Sequence, residues 1–130
     1  MSAPPRFLAE REAKRSLLGK YRNPYLDDPS VQGHDRGTAN TAIGWHAGRM
    51  FALKEDSRPM EIGPNTLETL GYFNFDGNLG QKTFTAQPKT DPDTGELIAY
   101  SYNAEGVASN EVYTVTGNPK EQISGRGRCD

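Results

Sequence analysis

The sequence predicts an all-β fold preceded by a short N-terminal helix, and within that class it favours part of a β-propeller over a sandwich. Three observations carry this. From about Tyr21 onward, short β-prone runs alternate at even spacing with Gly, Pro, Asp and Asn clusters, the pattern of a sandwich, barrel or propeller. The chain also repeats itself: Ala47-Gly48-Arg49-Met50-Phe51-Ala52-Leu53 can be laid on Thr94-Gly95-Glu96-Leu97-Ile98-Ala99-Tyr100, with Gly48 and Gly95 47 residues apart. A period in the forties with about four strands per unit is what propeller blades show. Finally, 14 Gly and 9 Pro in 130 residues favour turns over long helices, and 34% hydrophobic residues permit only a thin core.

Taken in order, Phe7 to Leu18 allows a short helix with Leu8, Leu17 and Leu18 as apolar points, ended by Gly19. Asn23-Pro24 and Asp27-Asp28-Pro29-Ser30 then initiate turns. Strands are predicted over Thr38 to Trp45, Arg49 to Lys54, Met60 to Ile62 and Leu67 to Phe75. A second series covers Lys82 to Gln87, Glu96 to Tyr102 and Glu111 to Thr116, with Asp91-Pro92-Asp93-Thr94-Gly95 as its first hairpin turn. Residues 1–20 are thus an N-terminal extension, 21–117 the repeat region, and 118–130 an irregular polar tail without strand character. A blade buries its faces against its neighbours, and a closed propeller typically needs at least four, so two blades predict an incomplete one.

Composition excludes several functions. Fifteen basic against 17 acidic residues leave no electrostatic footprint for nucleic acid or an anionic membrane. The one local excess, Arg11, Lys14, Arg15, Lys20 and Arg22, reads as a solvated face. Cys129 is the single cysteine, which excludes an internal disulfide and suits a reducing compartment. No apolar run reaches the roughly 18 residues a membrane span needs, and no secretory leader is visible, so a cytoplasmic protein is expected.

A series of motifs runs through Gly19-Lys20-Tyr21-Arg22-Asn23-Pro24-Tyr25, Asp27-Asp28-Pro29 and Asp35-Arg36-Gly37-Thr38-Ala39-Asn40-Thr41, followed by Ala52-Leu53-Lys54-Glu55-Asp56 and Leu67-Glu68-Thr69. It continues through Thr83-Phe84-Thr85-Ala86, Pro88-Lys89, Asp91-Pro92 and Thr94-Gly95-Glu96. In these motifs, in register from about Gly19 to Glu96, the chain strongly resembles the carotenoid-oxygenase family, in its lignostilbene-dioxygenase branch. The resemblance implies a seven-bladed β-propeller, of which this chain would be about two N-terminal blades. It also implies an axial Fe(II) held by four histidines, and cleavage of a C=C bond by O₂ in an apolar conjugated substrate, a carotenoid or a phenolic stilbene.

By the same resemblance, Tyr21 and Lys54 match the residues that contact the substrate phenol. An ammonium beside a phenol stabilises the phenolate. The first iron-binding histidine belongs in Thr-Ala-His-Pro-Lys, but here the segment reads Thr85-Ala86-Gln87-Pro88-Lys89. A neutral amide is a far weaker iron ligand than imidazole, so impaired iron binding is expected. His34 and His46, beside turns, match no ligand position and read as surface or supporting residues. Asp91-Pro92-Asp93-Thr94-Gly95 lacks the loop pattern of a calcium site and reads as a turn. The expected function is therefore an N-terminal piece of an Fe(II)-dependent alkene-cleaving dioxygenase, inactive alone. The alternative is a non-catalytic or vestigial scaffold that binds a phenolic ligand or a partner protein. A carbohydrate-binding sandwich would need Trp45, Tyr72, Phe73 and Phe75 on one exposed face.

Overall fold

The computed structural model of the chain describes residues 3–19, 24–79, 83–101, 110–115 and 123–129. It is mostly sheet with one short helix. Helix α1 (Pro5–Ala13) starts on a proline, whose missing N–H is not needed in a first turn. It ends five residues before the predicted boundary. Lys14 turns left-handed (φ 54°), and the N–H groups of Leu17 and Leu18 donate to Glu10 Oε1 at 3.0 Å each instead of continuing the helix. Leu17 and Leu18 are thereby buried against Val31 and Ala9. Single 3-10 turns follow at Pro24–Leu26 and Pro29–Val31.

Two four-stranded antiparallel sheets make up the rest. The first runs β1 (Ala42–His46), β2 (Arg49–Leu53), β3 (Met60–Ile62) and β4 (Thr69–Tyr72), each strand beside the next. The second runs β5 (Lys89–Thr90), β6 (Leu97–Ser101), β7 (Asn110–Val115) and β8 (Ile123–Cys129), in the same meander order. Cross-strand register gives the first sheet two distinct faces. Gly44, Phe51 and Glu61 share one, with Ala42 and Leu53; Ile43, Trp45, Met50, Ala52, Met60 and Tyr72 share the other. Strand β2 is apolar on both faces, so it lacks the alternation of a half-exposed strand.

The main core lies between the sheets. Phe51 and Leu53 of β2 meet Leu97 and Ala99 of β6, and the connector contributes Phe75, Leu79, Phe84 and Ala86. Phe75 is fully buried. It stacks on Phe84 with ring centres 5.5 Å apart and meets Phe73 edge-on at 5.0 Å. A smaller cluster on the outer face of the first sheet joins Ala52, Met60 and Ile62 to Ala39, Met50 and Tyr72.

The 47-residue repeat is structural. Gly48 (φ 77°) and Gly95 (φ 74°) each precede the second strand of their sheet, in a left-handed conformation that favours glycine. Ala52 and Ala99 are both buried in the second strand of their sheet, while Ala39 and Ala86 pack on corresponding faces.

Two strand expectations are corrected. Residues 83–87 of the predicted Lys82 to Gln87 strand are irregular, and pairing begins only at Lys89. Pro88 carries no N–H for a ladder, and the Thr85 N–H donates to the Tyr100 carbonyl from outside the strand (2.8 Å). The polar tail is also not irregular: Ile123–Cys129 forms β8 along the open edge of β7. Backbone pairing along an edge needs no apolar run, so composition gave no sign of it.

Candidate functional site

Lys54 directly follows β2 and is half-buried. The Leu53 carbonyl still accepts from Thr41 N–H (2.9 Å), and the Lys54 carbonyl then accepts from Ser57 N–H (3.3 Å) to close the turn that ends the strand. This turn is unusually polar for its burial. Glu55 Oε2, Asp56 Oδ1 and Ser57 Oγ are all shielded from solvent without a hydrogen-bond partner. Burial pushes the Asp56 carboxyl above its ordinary value; the Lys54 ammonium opposes that shift and Asp35 reinforces it. Lys54 and Asp56 therefore share one electrostatic neighbourhood.

Asp35 forms the other wall of the cluster, accepting from Gly37 N–H (2.8 Å) and from the Tyr72 hydroxyl (3.0 Å). Burial, with Asp35 beside it, pushes the Tyr72 phenol above its ordinary value, so Tyr72 acts as a neutral donor. Gly37 is required by space, because a Cβ there would lie 2.3 Å from Ser57 Cβ.

Gln87 is presented differently. Phe84, Thr85 and Ala86 are buried at 1% exposure or less and anchor the segment, while Gln87 itself is exposed. Its N–H donates to Thr85 Oγ1 at 3.1 Å, which fixes the backbone at the bend. By the 47-residue repeat Gln87 corresponds to Asn40, just before β1. Lys54 pairs in at that same end of the first sheet, where Leu53 lies opposite Ala42. Lys54 and Gln87 thus occupy corresponding ends of their sheets, whereas His46 closes the far end of β1. Tyr21 lies outside the described residues. Its neighbour in sequence, Gly19, is gripped on both sides: Gly19 N–H donates to Asp27 Oδ1 (2.7 Å), its carbonyl accepts from Arg36 (3.2 Å), and Arg36 pairs with Asp27.

The histidines divide. His34 is exposed, as expected of a turn residue. His46 is buried at 5% exposure and lines a small apolar cavity between the sheets with Phe51, Pro88 and Leu97. The surface reading is corrected, because a strand-end side chain facing the second sheet is covered by it. The aromatic face required of a carbohydrate-binding sandwich is absent. Phe75 is fully buried, Phe73 packs on it, and only Trp45 of the four is exposed.

The described residues bring together no donor set that fits an iron centre. Among the described residues no three His, Cys, Asp or Glu side chains group closely enough to hold a metal ion. Gln87 would add only an amide oxygen. Sequence reasoning missed the Asp35–Tyr72–Asp56 cluster, whose residues lie on three separate segments. It also took Phe75 as the end of a strand, although Asn74-Phe75-Asp76-Gly77 carries a turn signal. No helix among the described residues is long and apolar enough to cross a membrane.

Comparison with known proteins places the chain. The family model described as retinal pigment epithelial membrane protein matches residues 4–127. An isoeugenol monooxygenase of Pseudomonas nitroreducens is 51% identical over 107 residues, covering 82% of this chain and 22% of that protein. Carotenoid cleavage oxygenase 1 of Neurospora crassa is 46% identical over 119 residues, covering 92% of this chain and 22% of that protein. The crystal structure of Pseudomonas brassicacearum lignostilbene dioxygenase superposes with a TM-score of 0.80 at 41% identity, over 95% of this chain and 25% of that one. The chain thus spans about a fifth of the length of the curated relatives it matches. On this match the chain belongs to the retinal pigment epithelial membrane protein family, the carotenoid oxygenases.

Proposed function

We propose that the chain supplies the first two blades of a seven-bladed propeller oxygenase that cleaves a C=C bond in a phenolic stilbene or a carotenoid-like substrate. The observation that carries this reading is Lys54, half-buried at the end of β2 in a segment that shares its motif with the stilbene-cleaving branch. In this reading Lys54 and Tyr21 bind the substrate phenol. Asp56 lies in the same electrostatic neighbourhood as Lys54, which in this reading polarises the phenol toward phenolate. Iron and O₂, in a complete relative, supply the oxidative chemistry.

Gln87 favours a second reading, a scaffold that retains the phenol contact and has lost the metal. Binding separates the phenol contact from the rest. Titrated with a phenolic stilbene and its O-methyl ether, the chain should bind the phenol more tightly, and Lys54→Met should lose about tenfold or more for the phenol alone, as expected for a charged hydrogen bond. Equal binding of the two compounds would remove Lys54 from the site. For the metal, Gln87→His in a chain extended by further blades should raise Fe(II) affinity; no change would show that this position is not a ligand.

A further inference from the structure

We propose that Asp35 and Tyr72 are positioning residues for Lys54, their hydrogen bond fixing the turn that presents it, a role that rests on the phenol-binding reading of Lys54. The turn makes few hydrogen bonds of its own. The Lys54 carbonyl accepts from Ser57 N–H at a long 3.3 Å, and Glu55 Oε2, Asp56 Oδ1 and Ser57 Oγ are buried without a partner. Its two ends are tied to neighbouring segments. The Leu53 carbonyl accepts from Thr41 N–H at 2.9 Å, and the Pro59 carbonyl accepts from Phe73 N–H at 2.8 Å. The middle is held by packing instead. Ser57 is 1% exposed and lies so close to Gly37 that a Cβ there would meet Ser57 Cβ at 2.3 Å. Whatever fixes Gly37 therefore fixes Ser57, because close-packed groups transmit displacement.

Asp35 is what fixes Gly37. Its Oδ1 accepts from Gly37 N–H at 2.8 Å and from the Tyr72 hydroxyl at 3.0 Å. Tyr72 is anchored in turn: it stands opposite Met60 of β3 and packs against the cluster of Ala52, Met60 and Ile62. A residue of β4 thus reaches the Lys54 turn through one phenol–carboxylate contact. The charges converge on the same place. Asp56, in the turn, interacts with Lys54 and Arg6 as cations and with Asp35 as a like charge. Releasing Asp35 would therefore shift the turn and alter the field around Lys54 together. Binding groups depend on such supporting hydrogen bonds, which hold them within about 0.5 Å of the productive geometry.

The test is a double-mutant cycle on the 130-residue chain, titrating a phenolic stilbene and its O-methyl ether against wild type, Tyr72→Phe, Lys54→Met and the double variant. Tyr72→Phe removes the hydroxyl and keeps the ring in its cluster. It should weaken binding of the phenol about threefold or more and leave the ether unchanged, as expected when a hydrogen bond that supports the site is lost. In the Lys54→Met background it should cost nothing further, because it acts through Lys54. Gly37→Ala, which presses on Ser57 from the other side, should give the same selective loss. Both variants are matched to wild type by circular dichroism, and one that keeps the fold suffices to decide. An unchanged preference for the phenol in Tyr72→Phe or Gly37→Ala would overturn the proposal. So would an equal loss for both compounds, which marks a purely structural role, or a full further loss on top of Lys54→Met. The Lys54 arm separates the two readings. If Lys54→Met abolishes the phenol preference and Tyr72→Phe does not, the positioning role alone fails; if Lys54→Met leaves the preference intact, the phenol-binding reading fails and the positioning role with it.

Discussion

At the scale of the residue, two side chains show how much a single position can decide. Glu10 accepts from the Leu17 and Leu18 amides and pairs with Arg6 at 3.2 Å. Burial alone would raise its carboxyl, but the Leu18, Leu17 and Arg6 donors together outweigh it and hold the group at about 2, below the ordinary 4.5. Its folded pKa is thus the lower one, so the stabilisation is present above pH 4.5 and is lost as pH falls toward 2. Glu10→Gln should flatten that acid dependence, read from urea midpoints at about pH 6 and about pH 3. Phe75 is fully buried among three other phenylalanines while its backbone is left-handed at φ 52°. Phe75→Ala should cost about 3–5 kcal/mol in urea unfolding, with a cavity left between the sheets. The sequence made Lys54 and Gln87 visible because each sits in a motif with ordered neighbours. It was silent on Asp35, Tyr72 and Asp56, whose contact depends on three segments meeting in space, and on the burial of His46, which the second sheet supplies.

At the scale of the element, β2 and β3 were legible to within a residue because Gly48 and Pro59 punctuate them and apolar residues fill them. The β1–β2 hairpin closes through Ala47 (φ 49°) and Gly48 (φ 77°), a two-residue turn with both residues left-handed. Alanine is a poor occupant of its first position. Ala47→Asn should stabilise the chain by about 0.5–1 kcal/mol, read as a higher urea midpoint, because asparagine tolerates that conformation better. An unchanged midpoint would mean the strain is relieved elsewhere in the hairpin. The elements that escaped sequence reasoning share a cause. Helix α1 stops early because Glu10 draws in the Leu17 and Leu18 amides, residues 83–88 stay irregular through a hydrogen bond to β6, and β8 forms on a ready edge. In each case a partner outside the segment itself decided the local structure.

At the scale of the whole molecule, the repeat was the most informative feature of the sequence, because two sheets built alike leave the same apolar positions at the same register. Family membership was legible for the same reason: ordered motifs spread over most of the chain are read together, whereas a metal centre assembled from distant segments is not. The core between the sheets has a consequence for how the chain is made. Strand β4 finishes at Tyr72, yet the core on the front of the first sheet is completed by Phe84, Leu97 and Ala99, which follow later in the chain. During synthesis, β1 to β4 therefore emerge with Phe51 and Leu53 covered only in part, by Phe73, Phe75 and Leu79, and this core cannot be completed until β6 has left the ribosome. Nascent chains stalled after Leu79 should accordingly be far more sensitive to protease than chains stalled well beyond Ser101, and they are the state a chaperone would meet.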